Sequence, residues 1–322
     1  MDEPQTWREL LGKVTSNPYE RQRIADAIGI NAITLTRWVL HKSNPRQDNL
    51  RPLLETLPTY REQFIELISR EYPDFLETSI VEDIPPEIPS AFYARVLHAH
   101  TTSPQLLRAA TIRILILQQI LGHLDPFEAG LAVIIAQCVP PSQGKIRSLR
   151  ITQGRGTPPW ERHIEYQTLF LGAESQAGQA ILSGHRIVIQ SKQQKLRAFP
   201  THHVQMEEST VAYPILRADR VAGCLCLSST QANYFTHIHL DLIRRYADLM
   251  VFAFEHDEFY SLCNIELGIM PAQSVQQQIL AHFQRRVTEY VLHAMQSRTP
   301  LTRPKAEQIV WKELEGELLS LA

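Results

Sequence analysis

The side chains whose types and spacing could do chemistry fall into three groups. Histidines come in close pairs, His98 with His100, His202 with His203 and His237 with His239, and Cys224 stands two residues before Cys226. Between residues 31 and 51 there are four basic side chains, Arg37, Lys42, Arg46 and Arg51, against the single acid Asp48, a local +3 on a chain of net charge −2. The chemistries these would serve are metal ligation, thiol redox reaction and contact with the phosphates of double-stranded DNA.

The elements that must position these groups decide among them. Residues at i and i+2 share a metal only on a strand, and His98/His100 and His237/His239 fall in or beside segments of helical periodicity, so no metal is expected. Cys224 and Cys226 lie in "VAGCLCLSS", an alternating segment that reads as a central strand with both thiols on one face and Leu225 and Leu227 on the other. A buried thiol there is an inert small hydrophobe, which argues against an enzyme. No G-x-S-x-G, P-loop or H-E-x-x-H motif is present, and "ITQGRGTPP" reads as a turn-rich loop too weak to serve as a phosphate cradle.

At 322 residues the chain exceeds one ordinary domain. Apolar residues make up 44% and charged residues 20%, enough to bury a core and too balanced for a disordered chain. Four cysteines without a CxxC pair fit a reducing, cytoplasmic setting. No uninterrupted apolar run approaches the roughly 18 residues of a membrane span, so no membrane partner is expected.

The spacing divides the chain into an all-α N-terminal domain with a trailing helix over 1–75, a proline- and acid-rich linker over 76–89, an α+β domain over 90–262 and a C-terminal helical hairpin over 263–322. The linker "LETSIVEDIPPEIPS" combines four acids with three prolines. In the α+β domain, two helices precede strands at "AGLAVIIAQCV" and "KIRSLRITQG". A short helix over 175–182 then leads through Gly184 into a strand, a hairpin turns at "RADR", and a long amphipathic helix is predicted over "NYFTHIHLDLIRRYADLMVFAFEHDEFY". In the hairpin the apolar stripes are Val275, Ile279, Phe283, Val287 and Val291, and then Ile309, Leu314 and Leu318.

Near the N-terminus, "RIADAIGINAITLTRWVLHKSNP" sets a helix over 21–28 against a second one that restarts at Asn31, a good N-cap, after Gly29. Ile24, Ala25, Ile28, Ile30, Leu35 and Trp38 would face one another as the core. The outward face of the second helix would carry Asn31, Ile33, Thr36, Arg37 and His41, with Lys42 and Arg46 just beyond. This segment resembles the lambda-repressor-like (Xre-type) helix-turn-helix family. The resemblance implies that the helix from Asn31 reads base edges in the major groove, and that a dimer is needed for useful affinity. His41-Lys42 departs from the family's usual helix-ending glycine.

The run "SQAGQAILSGHRIVIQ", followed by "STVAYPILRADRVAGCLCLSST" and "YFTHIHLDLIRRYADLMVFAFE", resembles the GAF domain family, with Gly178, Gly184, Pro214 and Gly223 at the family's positions. The resemblance implies a signalling role and leaves the ligand open. A sheet covered on one side by helices leaves its other face for a pocket roofed by loops. Candidate pocket residues in those loops are Trp160, His163, Tyr166, Phe170, His185, Lys192, Arg197, Phe199 and Tyr213.

The expectation is therefore a multidomain, cytoplasmic, homodimeric transcription regulator. Its N-terminal all-α helix-turn-helix would bind double-stranded DNA, and its central α+β GAF-like domain would sense a small-molecule effector and alter dimer geometry. The alternatives are an adaptor or assembly protein with a ligand-free, dimerising GAF-like domain and, more remotely, a GAF-type redox enzyme.

Overall fold

The structure, a computed structural model, describes residues 4–28, 30–45, 50, 53–54, 56–57, 60–71, 85–164, 168–200, 204, 206–297 and 301–321. The chain divides into two compact units, Met1–Ile84 and Pro85–Ala322. The linker residues 76–84 and the histidines His202 and His203 lie outside the described residues.

The first unit is helical: α1 (Trp7–Val14), α2 (Pro18–Ile28), α3 (Ala32–Val39) and α4 (Arg61–Glu71). Thr6 caps α1 by accepting from the Glu9 amide. Asn31 caps α3 as its residue type predicts, its side-chain oxygen accepting from the Ile33 amide at 2.9 Å. The first helix of the pair begins at Pro18, three residues before the expected Arg21, because Asn17 accepts from the Tyr19 amide and proline at the first turn has no amide to satisfy. The second ends at Val39, so His41, expected on its outward face, lies beyond the helix. His41 takes a left-handed conformation (φ 54°), with its amide on the Trp38 carbonyl and the Lys42 amide on the Arg37 carbonyl. That double bond is a Schellman ending, normally built on glycine. Trp7, Leu11, Ile24, Ala25, Leu35, Trp38, Leu50 and Phe64 form the core, with Ile28 and Ile30 packed on its margin.

The second unit is α+β. Helices α5 (Ser90–Thr102) and α6 (Gln105–Leu124) precede β1 (Leu131–Cys138), β2 (Leu149–Gly156) and β3 (Phe170–Leu171). Then come α7 (Gln176–Ser183), β4 (Ile187–Ile189), α8 (Lys192–Ala198), β5 (Ser209–Arg217), β6 (Arg220–Ser229), α9 (His237–Met250) and β7 (Tyr260–Ser261). The strands form one antiparallel sheet in the order β3-β2-β1-β6-β5-β4, with β7 pairing β6. The β5–β6 hairpin turns at Ala218 and Asp219, as "RADR" predicts. Gly184 ends α7 at φ 67°.

Alternation gives the sheet two faces. Val133, Ile135, Leu225 and Leu227 are buried on the side where α6 and α9 pack. Ala136, Ala212 and Cys224 are buried on the other, with Ala177, Ala180 and Ile181 of α7. Cys226 packs at the margin of that second cluster, so the two cysteines share one face as the alternation requires. Gly223 is forced to be glycine by close approach: a Cβ there would stand 2.3 Å from the Ala136 carbonyl oxygen on β1.

Two further expectations are corrected here. The helix predicted over "NYFTHIHLDLIRRYADLMVFAFEHDEFY" ends at Met250. Glu255 and Glu258 then close a reciprocal turn, Glu258 Oε2 accepting from the Glu255 amide at 2.8 Å, and the chain proceeds into β7. "ITQGRG" is not a loop but the end of β2. Its glycines make room for the chain that folds back over the strand, since a Cβ on Gly156 would stand 2.5 Å from the Trp160 Cβ.

The C-terminal residues form α10 (Gln273–Leu280), α11 (Phe283–Gln296) and α12 (Arg303–Ser320). They pack on their own unit: Val287, Ala306, Val310, Leu314 and Leu318 are buried together with Val139, Phe170 and Met270. Ile279, Phe283 and Val291 flank that core, whereas Val275 and Ile309 are exposed. The Gln276 side-chain amide accepts from the Phe170 amide and donates to the Phe170 carbonyl, both at 2.9 Å, continuing the sheet beyond β3.

Candidate functional site

The predicted DNA-facing residues are positioned by α3. Packing Leu35 and Trp38 inward leaves Asn31, Ile33 and Arg37 exposed, with His41 and Lys42 exposed beyond the helix end. Ile33 is 67% exposed, an unusual position for an isoleucine in a packed helical unit. Thr36 is half-buried and its hydroxyl donates back to the Ala32 carbonyl at 3.3 Å. Arg46 lies outside the described residues. The end of this helix is held by a residue that gave no sequence signal. Arg8, buried on α1, donates to the Trp38 carbonyl at 2.7 Å, to Asn44 Oδ1 at 3.0 Å and to Glu71 Oε1 at 2.9 Å.

In the second unit the most developed polar cluster lies beneath α8. Ser191 caps α8, and one turn later Lys195 is turned inward and buried. Its Nζ donates to Gln176 Oε1 at 2.8 Å and stands 3.7 Å from Glu207 Oε2. Thr210 Oγ1 donates to the same Gln176 oxygen at 2.6 Å, and Ser228 Oγ donates to Glu207 Oε1 at 2.7 Å. Gln176 Nε2 in turn donates to the Ile187 carbonyl. Thr210 and Ser228 are register partners on β5 and β6, on the same face as Ala212 and Cys226. A buried ammonium is thus neutralised by one carboxylate and held by two neutral oxygens, beside the sheet face that also carries the cysteines.

The predicted pocket residues scatter around this cluster. Phe199 is buried at the end of α8 with its ring centroid 5.8 Å from the Lys195 ammonium. Lys192 and Arg197 are on the same helix, Lys192 half-buried and Arg197 exposed. Tyr213 faces α9 instead, its hydroxyl donating to the Leu240 carbonyl at 3.1 Å and accepting from Arg186 at 2.7 Å. Phe170 lies in the C-terminal core, edge-on to Trp311. His185 is at the surface with Nδ1 2.7 Å from the Ser183 carbonyl. Trp160 and His163 are half-buried in the chain after β2, and Tyr166 lies outside the described residues. Lys195, Gln176, Thr210 and Glu207 carry no local sequence signal, because their partnership joins residues up to 34 positions apart.

Burial sets the thiol chemistry. It pushes the Cys138 thiol up to about 12 and the Cys224 thiol well above its ordinary value. Neither is a thiolate at neutral pH, and the thiolate is the reactive form. Among the described residues no group of three or more His, Cys, Asp or Glu side chains converges on a metal position. His239 instead caps α9, its Nδ1 accepting from the Thr236 amide at 3.3 Å, and stacks on Tyr234. No helix among the described residues is long and apolar enough to cross a membrane.

Residues 115–255 match the GAF domain family, and this part of the chain is a GAF domain, a ligand-sensing or signalling module. Among solved structures the chain is similar to the GAF domain from Acinetobacter phosphoenolpyruvate-protein phosphotransferase, at 12% identity over 51% of this chain and 90% of that one, with a TM-score of 0.38. It is also similar to the GAF-B domain of DevS from Mycobacterium smegmatis, at 18% identity over 45% and 91% with a TM-score of 0.32. A third likeness is to type II free methionine-R-sulfoxide reductase from Thermoplasma acidophilum, at 14% identity over 44% and 88% with a TM-score of 0.32. No curated protein matches the chain.

Proposed function

We propose that the protein is a DNA-binding transcription regulator, acting as a homodimer whose GAF domain senses a small molecule. The observation that carries the DNA-binding part is the division of α3 into two faces. Leu35 and Trp38 are buried, while Asn31, Ile33, Arg37, His41 and Lys42 form an exposed strip with two cations and a methyl-bearing apolar side chain. Guanidinium and ammonium groups suit phosphates and guanine edges, and an exposed isoleucine suits thymine methyl groups. The N-terminal unit supplies one such strip, and two half-sites about one helical turn, roughly 34 Å, apart require two copies. A ligand acts by changing how the copies are spaced.

The test is binding of the full-length protein to its own promoter region across a salt series. Arg37→Ala and Lys42→Ala should each lower the slope of log affinity against log salt by about one. Unchanged binding and slope in the double variant would remove the DNA-binding role from this face.

A second reading, an adaptor with a ligand-free GAF domain, is favoured by one feature: the Lys195 ammonium is already met by Gln176 and Glu207. A thermal-shift screen distinguishes the two. A compound that raises the melting temperature of the parent and not of Lys195→Met supports sensing beneath α8, whereas a DNA-independent partner and no stabilising compound support the adaptor.

A further inference from the structure

The end of the sheet where β2 meets α6 holds a second polar feature. A half-open cleft of about 550 Å³ lies where the C-terminal part of α6 meets the end of β2. Gln118 and Leu121 form one wall, Arg155, Trp160 and Arg162 another, and Glu128 stands at the rim. Arg155 is the register partner of Val133, whose side of the sheet is the one covered by α6.

The charges available in this cleft are unequal. Asp125, which also borders it, is fully committed: its carboxylate accepts from the amides of Ala129 at 2.6 Å and of Gly130 and Leu131 at 3.1 Å, and from the Thr157 hydroxyl. Arg155 and Arg162 have neither an ion pair nor a hydrogen bond among the described residues. The formal charges of the lining balance, but Asp125's is taken up by three amides and a hydroxyl, so the groups left to meet a ligand are two guanidiniums and the one carboxylate of Glu128. Trp160 also borders the cleft, and it is fixed there by donating its indole Nε1–H to the Gly130 carbonyl at 3.1 Å. The wall is therefore rigid, since Asp125 orders residues 129–131 and those residues orient the indole.

We infer that this cleft binds a small planar organic anion, a ring bearing a carboxylate or a phosphate. The two guanidiniums supply charge-assisted donors with forked geometry, and the half-buried indole supplies an apolar surface for the ring. Glu128 at the rim favours ligands with a hydroxyl or amino donor at the end away from the anion. The cleft shares no lining residue with α3 or α8.

Isothermal titration of the full-length protein with adenosine 5′-monophosphate and, separately, with indole-3-carboxylate tests this assignment at low ionic strength. At least one probe should bind, and the one that does identifies phosphate or carboxylate as the preferred head group. Arg162→Gln alters an exposed residue and should weaken binding about tenfold, the loss of one charge-assisted hydrogen bond. Trp160→Leu should weaken it about fivefold through lost stacking, and Lys195→Met should leave it unchanged. No heat with either probe at millimolar concentration, or equal affinity in the parent and Arg162→Gln, would overturn the assignment. Loss of DNA binding in Arg37→Ala with probe binding intact separates the two sites.

Discussion

The buried guanidinium of Arg8 donates to the main-chain carbonyl of Trp38 at 2.7 Å, so α1 holds the end of the helix that presents Arg37 and Lys42. Glu71, on α4, accepts from both Arg8 and the Trp7 indole. Arg8→Ala would take one donor from the Trp38 carbonyl, which keeps the His41 amide, and one from the Glu71 carboxylate, which keeps the Trp7 indole. The expected cost is about 2 kcal/mol, since Glu71 is partly exposed and recovers some solvation. Hydrogen exchange should show the amides of residues 7–39 exchanging faster, with those of the GAF domain unchanged.

His41 has the opposite sign. A β-carbon in the left-handed region costs about 1 kcal/mol, partly offset by the greater freedom that glycine gives the unfolded chain. His41→Gly should therefore stabilise the N-terminal unit by about 0.5 kcal/mol, read as a small increase in the denaturant midpoint of that unit. If the imidazole also touches DNA, affinity falls while stability rises.

Two buried histidines make the second unit sensitive to acid. Burial lowers the affinity of both His123 and His239 for a proton, bringing His239 from 6.5 to about 4. His123 sits between the Tyr246 hydroxyl and the Pro85 carbonyl, both at 2.7 Å. Below pH 6.5 the unfolded chain gains protons that the folded chain refuses, so stability falls as pH drops from 6.5 to 4 and levels off once His239 protonates in place. His239 alone accounts for about 3 kcal/mol of this loss. Urea denaturation at pH 7 and pH 4.5 should show it, and His239→Gln should flatten the dependence.

The thiols should divide by accessibility. Cys263 is exposed on the chain after β7, whereas Cys138 and Cys224 are buried and held as thiols. A chromogenic disulfide reagent should label Cys263 rapidly in the native protein and reach Cys138 and Cys224 only in denaturant. Rapid labelling of Cys224 under native conditions would favour the redox-enzyme reading.

What could be read from the chain alone depended on the range of the forces involved. Asn31, Gly184 and the Ala218–Asp219 turn are local devices, readable one residue at a time. Met250 ends α9 although apolar periodicity continues through Phe254, because pairing of Tyr260 and Ser261 with β6 demands that the chain turn back. No local signal carries that demand. The glycines of "ITQGRG" look like turn residues by type, yet their function is to lie under Trp160 and Ile164. Residue type in loops points to Phe199 and Lys192, which lie at the two ends of α8. Type alone does not single out Lys195, whose burial depends on Gln176 from another helix and Glu207 from before β5. Phe170 and Tyr213 were plausible by type, but the α12 core and the α9 backbone take them up.

The bond between Gln276 and Phe170 also governs how this protein can be cut. A side-chain amide there does what a neighbouring peptide group would do, satisfying both backbone groups of a residue on the outermost strand. Removing residues 271–322 would bare that strand together with Val139 and the Phe170 ring, offering adhesive edge and apolar surface to any other copy. The chain cut after residue 270 should therefore self-associate more strongly than the whole chain in sedimentation velocity. Such clumping would report a lost cover and not an interface of the intact protein.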